Sequence, residues 1–267
     1  MTYRGVVLDL DGTVVRGDAL LPGAQEGVAA LREHAEAVLF LTNNPLRPAS
    51  EHASRLRDHG VDASPGEVLT SADATVAYLR ERHDGDRIYP IADDAIVAQL
   101  RDTDVNLTDD PAAAEVVVAG FDSGFHFRDL QAAIDAFADG ETTFVGTDPD
   151  VTIPTSDGLE PGSGAIVRAV AGVAEREPDA VLGKPSETTA RLAADRLGVP
   201  PEECLLVGDR LDTDVAMGDA VGMTTALVRT GVDGDTTVDD DVDGELAAGV
   251  RPDYVLDSLG DVHRLLE

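Results

Sequence analysis

Short apolar runs alternate along the chain with stretches of helical periodicity, and this alternation restricts the fold more than any other feature. Val6–Leu8 precedes a helical pattern near Gly23–His34, and Ala37–Leu41 precedes a second one near Pro48–Gly60. A strand–helix–strand–helix order predicts a parallel sheet. Uninterrupted apolar strands of this kind are typical of sheets that are buried on both faces. We therefore predict an α/β fold built on a doubly wound parallel sheet.

The same rhythm continues beyond Ser71. The sequence predicts a helix over Ala72–Arg82, after which strands and helices alternate through Arg87–Ile91, Asp93–Arg101, Glu115–Gly120, Asp129–Ala138, Thr142–Gly146 and Gly162–Glu175. Further strands are predicted in the last third of the chain, at Ala180–Gly183, Cys204–Val207, Thr225–Val228 and Tyr254–Leu256. A chain of 267 residues has room for one large domain or for two smaller ones.

The charge of the chain is strongly one-sided, because 52 Asp and Glu oppose 20 Lys and Arg and leave a net charge of −32. Such a chain lacks the basic surface that non-specific nucleic-acid binding needs, so we expect no nucleic-acid partner. Lys184 is the one lysine, and the other basic residues are arginines. At low ionic strength the acidic side chains of such a chain repel one another. At ~1 M salt the Debye length falls to ~3 Å, so most of this repulsion is screened. The composition predicts adaptation to a salt-rich cytoplasm.

The apolar content indicates a globular protein outside the membrane. Hydrophobic residues make up 43% of the chain, but the longest apolar runs, such as Val116–Ala119, have the length of a strand. A membrane span needs roughly 18 consecutive apolar residues, so we expect no membrane partner. The N-terminus enters a strand at once and leaves no room for a signal peptide, and Cys204 has no second cysteine to pair with. We expect a cytoplasmic protein, and its oligomeric state stays open.

Polar residues follow directly after four of the apolar runs. In an open parallel sheet the carboxyl ends of the strands share one edge, where ligands bind, so we expect these side chains to converge. They are Asp9 and Asp11, Thr42 and Asn43, Lys184, and Asp209. Asp9 and Asp11 stand two positions apart, which directs both side chains to one side of an extended chain. Gly12 then lets the backbone turn away closely beneath a ligand.

Carboxylates, an ammonium group and a hydroxyl in one cleft suit phosphoryl transfer. Carboxylate oxygens are ligands that Mg²⁺ prefers, and a carboxylate can also attack phosphorus to form an aspartyl-phosphate. A second carboxylate nearby can protonate the leaving alcohol and later deprotonate water. The charge of the transferred group can be neutralised by Mg²⁺ and by Lys184.

Four segments together resemble the four motifs of the haloacid-dehalogenase superfamily. They are Asp9-Leu10-Asp11-Gly12-Thr13, Thr42-Asn43-Asn44, Gly183-Lys184-Pro185, and Gly208-Asp209-Arg210-Leu211-Asp212-Thr213-Asp214. More narrowly, the chain is similar to the nitrophenylphosphatase and nucleotide-phosphatase-like branch, which carries an α/β cap between the second and third motifs. The resemblance implies a Rossmann-like catalytic core over 1–82 and 180–267, and a substrate-selecting α/β cap over 83–179.

The resemblance also implies which residues perform the chemistry. Asp9 is expected to be the nucleophile and a Mg²⁺ ligand, and Asp11 the general acid and base, with its backbone carbonyl on the metal. Asp209 is expected to bind Mg²⁺ directly, and Asp214 to support the site from behind the direct ligands.

A second group of residues is expected to bind the substrate. Thr42, Asn43 and Asn44 lie in the motif that holds the phosphoryl oxygens, and Lys184 is expected to pair with both the nucleophile and the phosphate. Within the cap, Thr147-Asp148-Pro149-Asp150 is similar to a sequence of the branch, except that Asp148 stands where the branch leads us to expect Asn. We therefore include Asp148 among the substrate-binding candidates.

These observations predict a Mg²⁺-dependent phosphatase of small phosphomonoesters. Sugar phosphates, nucleoside monophosphates, phosphoglycolate and nitrophenyl phosphate all remain open as substrates. The alternative is a protein without catalysis, either a phospho-accepting signalling receiver or a sugar-phosphate-binding regulator. Asp11 favours the enzyme, because a second carboxylate allows the phosphorylated aspartate to be hydrolysed. Within the superfamily, Asp209 and Asp214 favour phosphate chemistry over carbon–halogen hydrolysis, which needs no Mg²⁺ cluster.

One acidic stretch imitates a calcium loop. Asp239, Asp241, Asp243 and Gly244 match its opening positions, but Val250 stands where the loop needs a bidentate Glu. We predict an acidic surface loop there instead.

The composition generates a direct prediction about salt. Because self-repulsion grows as screening is removed, dialysis from molar KCl into dilute buffer is expected to unfold or inactivate the protein. Circular dichroism and activity measured along a KCl series test this expectation. A protein whose fold and activity are indifferent to salt would contradict the predicted adaptation.

Overall fold

The computed structural model describes residues 3–155, 158–234 and 249–266. Its strands are β1 (Gly5–Asp9), β2 (Val15–Arg16), β3 (Ala19–Leu20), β4 (Ala37–Thr42), β5 (Val68–Thr70), β6 (Arg87–Ile91), β7 (Asn106–Leu107), β8 (Val116–Ala119), β9 (Thr143–Gly146), β10 (Thr152–Thr155), β11 (Gly158–Pro161), β12 (Ala180–Val181), β13 (Cys204–Gly208), β14 (Thr224–Val228) and β15 (Tyr254–Leu256). Its helices are α1 (Ala24–His34), α2 (Ala49–Asp58), α3 (Ser71–Arg82), α4 (Asp94–Arg101), α5 (Phe127–Ala136), α6 (Ser163–Ala174), α7 (Glu187–Leu197) and α8 (Ala216–Val221). The stretch Asp239–Gly244 that imitates a calcium loop lies outside the described residues.

The chain divides into two compact units. The first contains the residues up to Thr42, Ala49–Leu69 and those from Lys184 onward, and the second contains Asn43–Pro48 and Thr70–Gly183. This division differs from the boundaries at 82/83 and 179/180 that were predicted from the sequence. Helix α3 packs against α4, and β12 pairs with β9, so both elements lie with the second unit.

The first unit is built on a six-stranded sheet with the order β15-β14-β13-β1-β4-β5. Strand β1 pairs in parallel with β13 on one side and with β4 on the other, so that Val6 lies beside Leu205 and Val38. The carboxyl ends of β13, β1 and β4 are therefore neighbours at one edge. Polar residues that follow these three strands are brought together by the order of the sheet, as the sequence predicted.

Both faces of this sheet are covered by apolar side chains. Val6, Leu8 and Phe40 belong to the core on one face, while Val7 and Leu39 belong to the core on the other. The alternation follows from the two-residue period of a strand. Because both faces are buried, β1 reads as an unbroken apolar run, which confirms the interpretation of the sequence and the predicted α/β class.

The second unit has its own parallel sheet, with the order β12-β9-β8-β6-β7. The apolar run before Lys184 was expected to belong to the same sheet as β1, and that expectation was wrong. The run forms β12, whose Ala180 and Val181 pair with Val145 and Gly146 of β9 in the second sheet. Lys184 follows this strand in the sequence, two residues after Leu182, but belongs to the first unit.

Local sequence signals set the ends of several elements. Thr70 caps α3, since its hydroxyl accepts from the Asp73 amide while the Asp73 carboxylate accepts from the Thr70 amide. This reciprocal arrangement satisfies two backbone donors at the beginning of the helix.

In the described part of the chain, no helix is both long enough and apolar enough to cross a bilayer.

Candidate active site

Three buried carboxylates meet in the first unit. Asp9 ends β1, Asp209 directly follows β13, and Asp214 lies in the helical turn Leu211–Val215. One carboxylate oxygen from each lies within 4.8 Å of the others. All three side chains are almost fully excluded from solvent. A cluster of like charges in a buried place is unfavourable unless a cation balances it.

Lys184 supplies a positive charge to this cluster. Its Nζ donates to Asp214 Oδ1 at 2.7 Å and also to Asp9 Oδ1, and its side chain is only 4% exposed. Burial alone would lower the pKa of Lys184, but the charges of Asp214 and Asp9 raise it above its usual value. One ammonium against three carboxylates leaves an excess of two negative charges when all are ionised.

The turn after β13 places Asp214 so that it faces back toward the sheet. The amides of Asp214 and Val215 both donate to the Arg210 carbonyl, which makes this turn wider than an α-helical one. The Asp214 side chain then packs against Gly208, where a Cβ would approach its carboxylate closer than 3.0 Å. The Arg210 amide donates to Asp214 Oδ2 at 3.2 Å, so both oxygens of Asp214 are held.

Asp9 leaves one oxygen without a hydrogen bond. Its Oδ1 accepts from Lys184, whereas Oδ2 is buried and has no partner among the described residues. Burial raises the pKa of the Asp9 carboxyl well above its usual value, although Lys184 opposes this effect. Burial and the charge of Asp214 likewise raise the pKa of Asp209 to about 7. One ammonium therefore does not offset the burial of these carboxylates.

A divalent cation fits this arrangement on three counts. The excess negative charge equals that of Mg²⁺, the donors are the hard oxygen ligands that Mg²⁺ prefers, and Asp9 Oδ2 needs an electropositive partner. The cluster Asp9, Asp209 and Asp214 could therefore hold such an ion.

Asp11 and Thr42 form a second, more accessible pair. The Thr42 hydroxyl donates to Asp11 Oδ2 at 3.4 Å, and Thr42 is buried while Asp11 is exposed. An exposed carboxyl two residues after a buried one can exchange protons with water or with a bound molecule. The position is suited to the proton transfer that we expect of Asp11.

Asn43 and Asn44 lie in the second unit, in its short segment Asn43–Pro48. The Asn43 amide nitrogen donates to Asp150 Oδ2 at 3.2 Å, and the Ser71 hydroxyl donates to the Asn43 carbonyl at 2.8 Å. Asn44 uses its side-chain oxygen to accept from the Leu46 amide at 3.0 Å, within its own turn. The residue after Thr42 is thus fixed by partners from two other segments of the second unit.

Asp148 faces the interior of the second unit, where only 2% of it is exposed. Its Oδ1 accepts from the Asp150 amide at 3.2 Å, and its Oδ2 contacts the Thr147 hydroxyl at 3.1 Å. Burial, followed by the charge of Asp150, raises the pKa of Asp148 to about 8. The carboxyl holds the turn that presents Asp150 to Asn43, a contact that the sequence analysis did not foresee.

Comparisons with known proteins identify the family of the chain. Family models match residues 6–106 as a haloacid dehalogenase-like hydrolase and residues 181–262 as a HAD-hydrolase-like domain. The sugar-phosphatase AraL of Bacillus subtilis is 30% identical over 263 residues, covering 98% of this chain and 93% of the relative. The human glycerol-3-phosphate phosphatase is 32% identical over 286 residues, covering 96% of this chain and 89% of the relative.

A solved structure gives the same result. The p-nitrophenyl phosphatase from Archaeoglobus fulgidus superimposes with a TM-score of 0.89 at 31% identity, covering 99% of this chain and 100% of that one. The similarity therefore extends over both units, each with its own sheet.

The Asp148 environment generates a prediction about stability and pH. Because its folded pKa of about 8 lies above the ordinary 3.8, the folded chain retains a proton that the unfolded chain loses. The wild-type free energy of unfolding should therefore fall as the pH rises from about 4 to about 8. Asp148→Asn removes this titration. The side-chain oxygen of the variant can still accept from the Asp150 amide, and its side-chain NH₂ can donate to the Thr147 hydroxyl.

The expected result is a difference in Tm between D148N and the wild type that widens with pH. Thermal unfolding followed near pH 5 and near pH 8.5 at constant salt should show the variant more stable at the higher pH. A difference in Tm that is the same at both pH values would contradict the raised pKa of Asp148.

Proposed function

The chain belongs to the haloacid dehalogenase-like hydrolases, in their nitrophenylphosphatase-type branch, and on that premise we propose a Mg²⁺-dependent phosphatase that works through a phosphorylated Asp9. Its relatives named above are phosphatases, so the chain is a phosphoric monoester hydrolase. One observation supports the metal and the intermediate: the buried Asp9 carboxylate accepts from Lys184 on one oxygen, has no hydrogen-bond partner among the described residues on the other, and lies beside Asp209 and Asp214.

In the first step, a carboxylate oxygen of Asp9 attacks the phosphorus of the ester. A bond forms between this oxygen and phosphorus, and the bond from phosphorus to the ester oxygen breaks. The leaving oxygen takes a proton from Asp11, whose carboxyl is exposed. Lys184 offsets the charge of the transferred group and keeps Asp9 in place.

In the second step, water hydrolyses the aspartyl-phosphate. Asp11, now ionised, removes a proton from the water as its oxygen attacks phosphorus. The bond between phosphorus and the Asp9 oxygen breaks, which regenerates the Asp9 carboxylate and releases inorganic phosphate. The phosphoryl oxygens are held in both steps by the hydroxyl of Thr42, at the end of β4, and by the amide of Asn43, the next residue.

Asp9 and Asp209, together with the Asp11 backbone carbonyl, would hold Mg²⁺, with Asp214 supporting them. When bound, Mg²⁺ neutralises the charge of the phosphoryl group and aligns it with the nucleophile. Asp214 contributes by fixing Lys184, to which it is bonded at 2.7 Å.

For the substrate we propose small sugar or polyol phosphates. Relatives named for sugar phosphates and for glycerol 3-phosphate support this class over nucleotides. The cluster of the first unit accounts for the phosphoryl group alone, so we assign the choice of the ester group to the second unit. The net charge of −32 with a single lysine supports a salt-rich cytoplasm as the place of action.

A trapped intermediate tests the proposed mechanism. Asp11→Asn removes the proton donor and the base but leaves Asp9 intact, so the phosphorylated Asp9 is expected to accumulate with an activated ester such as nitrophenyl phosphate. Rapid quenching followed by mass spectrometry should find phosphate on the peptide that contains Asp9. Asp9→Asn serves as the matched control, with no phosphate and with kcat reduced to background.

Three outcomes would contradict this proposal. An Asp9→Asn variant that retains a tenth of the wild-type kcat would exclude Asp9 as the nucleophile. A stable phosphorylated wild type without release of phosphate would support the signalling-receiver alternative instead. Full activity in excess chelator would exclude the metal.

Lys184→Arg tests the geometry of the cation independently of its charge. The compact ammonium contacts two buried carboxylates, whereas a planar guanidinium is wider and directs its donors differently. We expect kcat/KM to fall at least ~10-fold, equivalent to ~1.4 kcal/mol of transition-state stabilisation. Circular dichroism of the variant provides the control for folding. A variant with unchanged kcat/KM would show that only the charge of this residue matters.

A further inference from the structure

The turn that follows β14 packs directly on Asp209. A Cβ added to Gly231 would lie closer than 3.0 Å to the Asp209 carboxylate, and the three atoms nearest to it all belong to Asp209. The next residue, Val232, donates its amide hydrogen to Asp209 Oδ2 at 2.7 Å. One oxygen of Asp209 is thus held by a backbone amide, in a space that is open only because residue 231 has no side chain.

The same turn is bonded to the segment that follows β1. The Thr230 hydroxyl donates to the Gly12 carbonyl at 2.6 Å, and the Arg16 guanidinium donates to the Thr230 carbonyl. A Cβ on Gly12 would also approach Asp209 Oδ2 closer than 3.0 Å. The segments after β1, β13 and β14 are therefore interlocked around one carboxylate oxygen, within the first unit.

Glycine at position 231 is explained by Asp209 and not by the backbone. The positive-φ glycines include Gly12 but not Gly231, so the conformation of residue 231 is open to an ordinary amino acid. The three atoms that the methyl group of an alanine would approach most closely all belong to the Asp209 side chain. A glycine that only shaped the turn would show a left-handed φ or a close neighbour in the backbone of its own turn.

We propose that the turn Thr230–Val232 is a positioning element for the metal site. Through Gly231 and Val232 it fixes the rotation of the Asp209 carboxylate, and through Thr230 it fixes the turn that follows Asp11. None of its side chains takes part in the reaction. The inference rests on the proposed function, because it assigns Asp209 to a Mg²⁺ site.

Gly231→Ala tests this role, and Gly66→Ala is the matched control. Gly66 lies in the same unit, has no positive φ, and has no atom within 4 Å of an added Cβ. The readout is the rise in Tm as Mg²⁺ is titrated, in ~1 M KCl so that the non-specific effect on surface charges is screened. We expect G231A to raise at least ~10-fold the Mg²⁺ concentration that produces a given rise in Tm, and G66A to leave that concentration unchanged.

A double-mutant cycle with Asp209→Gly separates positioning from general damage to the fold. G231A is expected to lower the Tm without Mg²⁺ in the wild-type background, where its methyl group meets the Asp209 side chain. In the D209G background both the carboxylate and the Cβ of residue 209 are gone, so G231A should cause little further loss. Equal losses of Tm in both backgrounds would overturn the proposal, and so would a G231A variant with the Mg²⁺ response of the wild type.

Thr230→Val tests the second connection without adding volume. The control is Thr225→Val, at the opposite end of β14. It removes both hydrogen bonds between the Thr225 hydroxyl and Asp253, one donated to Oδ2 at 3.1 Å and one accepted from the amide at 3.2 Å. T230V is expected to weaken the Mg²⁺ response and T225V to preserve it, and equal responses would overturn the role of Thr230. A wild type without any response to Mg²⁺ would overturn the proposed metal itself, whereas a normal response with additive losses of Tm would overturn only the positioning role.

Discussion

The first unit is organised around three buried carboxylates and one buried ammonium, whose charges do not cancel. Asp9 and Asp214 both bind Lys184, Asp209 lies beside them, and burial raises the pKa of both Asp9 and Asp209. Charges in such a place must be compensated, because the solvent no longer does so. The sheet order β13-β1-β4, the wide turn at Leu211–Val215 and the glycines beside the carboxylates all maintain this cluster.

Much of the first unit could be predicted from residue pattern alone. Runs such as Val6–Leu8 are buried on both faces of a parallel sheet, so they read as uninterrupted apolar strands. The polar residues after β1, β4 and β13 then converge because their strands are neighbours. Identifying the chemistry needed the further step of recognising the four motifs together, since a lone Asp or Thr after a strand is more often a cap.

The remaining features depend on pairing and packing over long sequence distances. Ala180–Val181 looks like any other apolar run, and only its pairing with β9 assigns it to the second sheet. Asp148 is a substrate-binding candidate because it departs from an expected Asn, but the residue pattern does not show that it is buried. Nor does the pattern show that Asp150 is the carboxylate bonded to Asn43. Thr230 could have been identified as a candidate from the sequence, because it too follows an apolar strand. Its contact with Gly12 could not be predicted, because the two residues are 218 positions apart.

We propose that one divalent cation balances the excess negative charge at Asp9, Asp209 and Asp214. Anomalous scattering from crystals grown or soaked with Mn²⁺ tests this proposal, because Mn²⁺ takes the oxygen ligands of Mg²⁺ and can be located unambiguously. We expect one strong peak in the first unit at about 2 Å from carboxylate oxygens of Asp9 and Asp209. Crystals of active enzyme with Mn²⁺ bound elsewhere, and with Asp9 Oδ2 still without a cation, would contradict it.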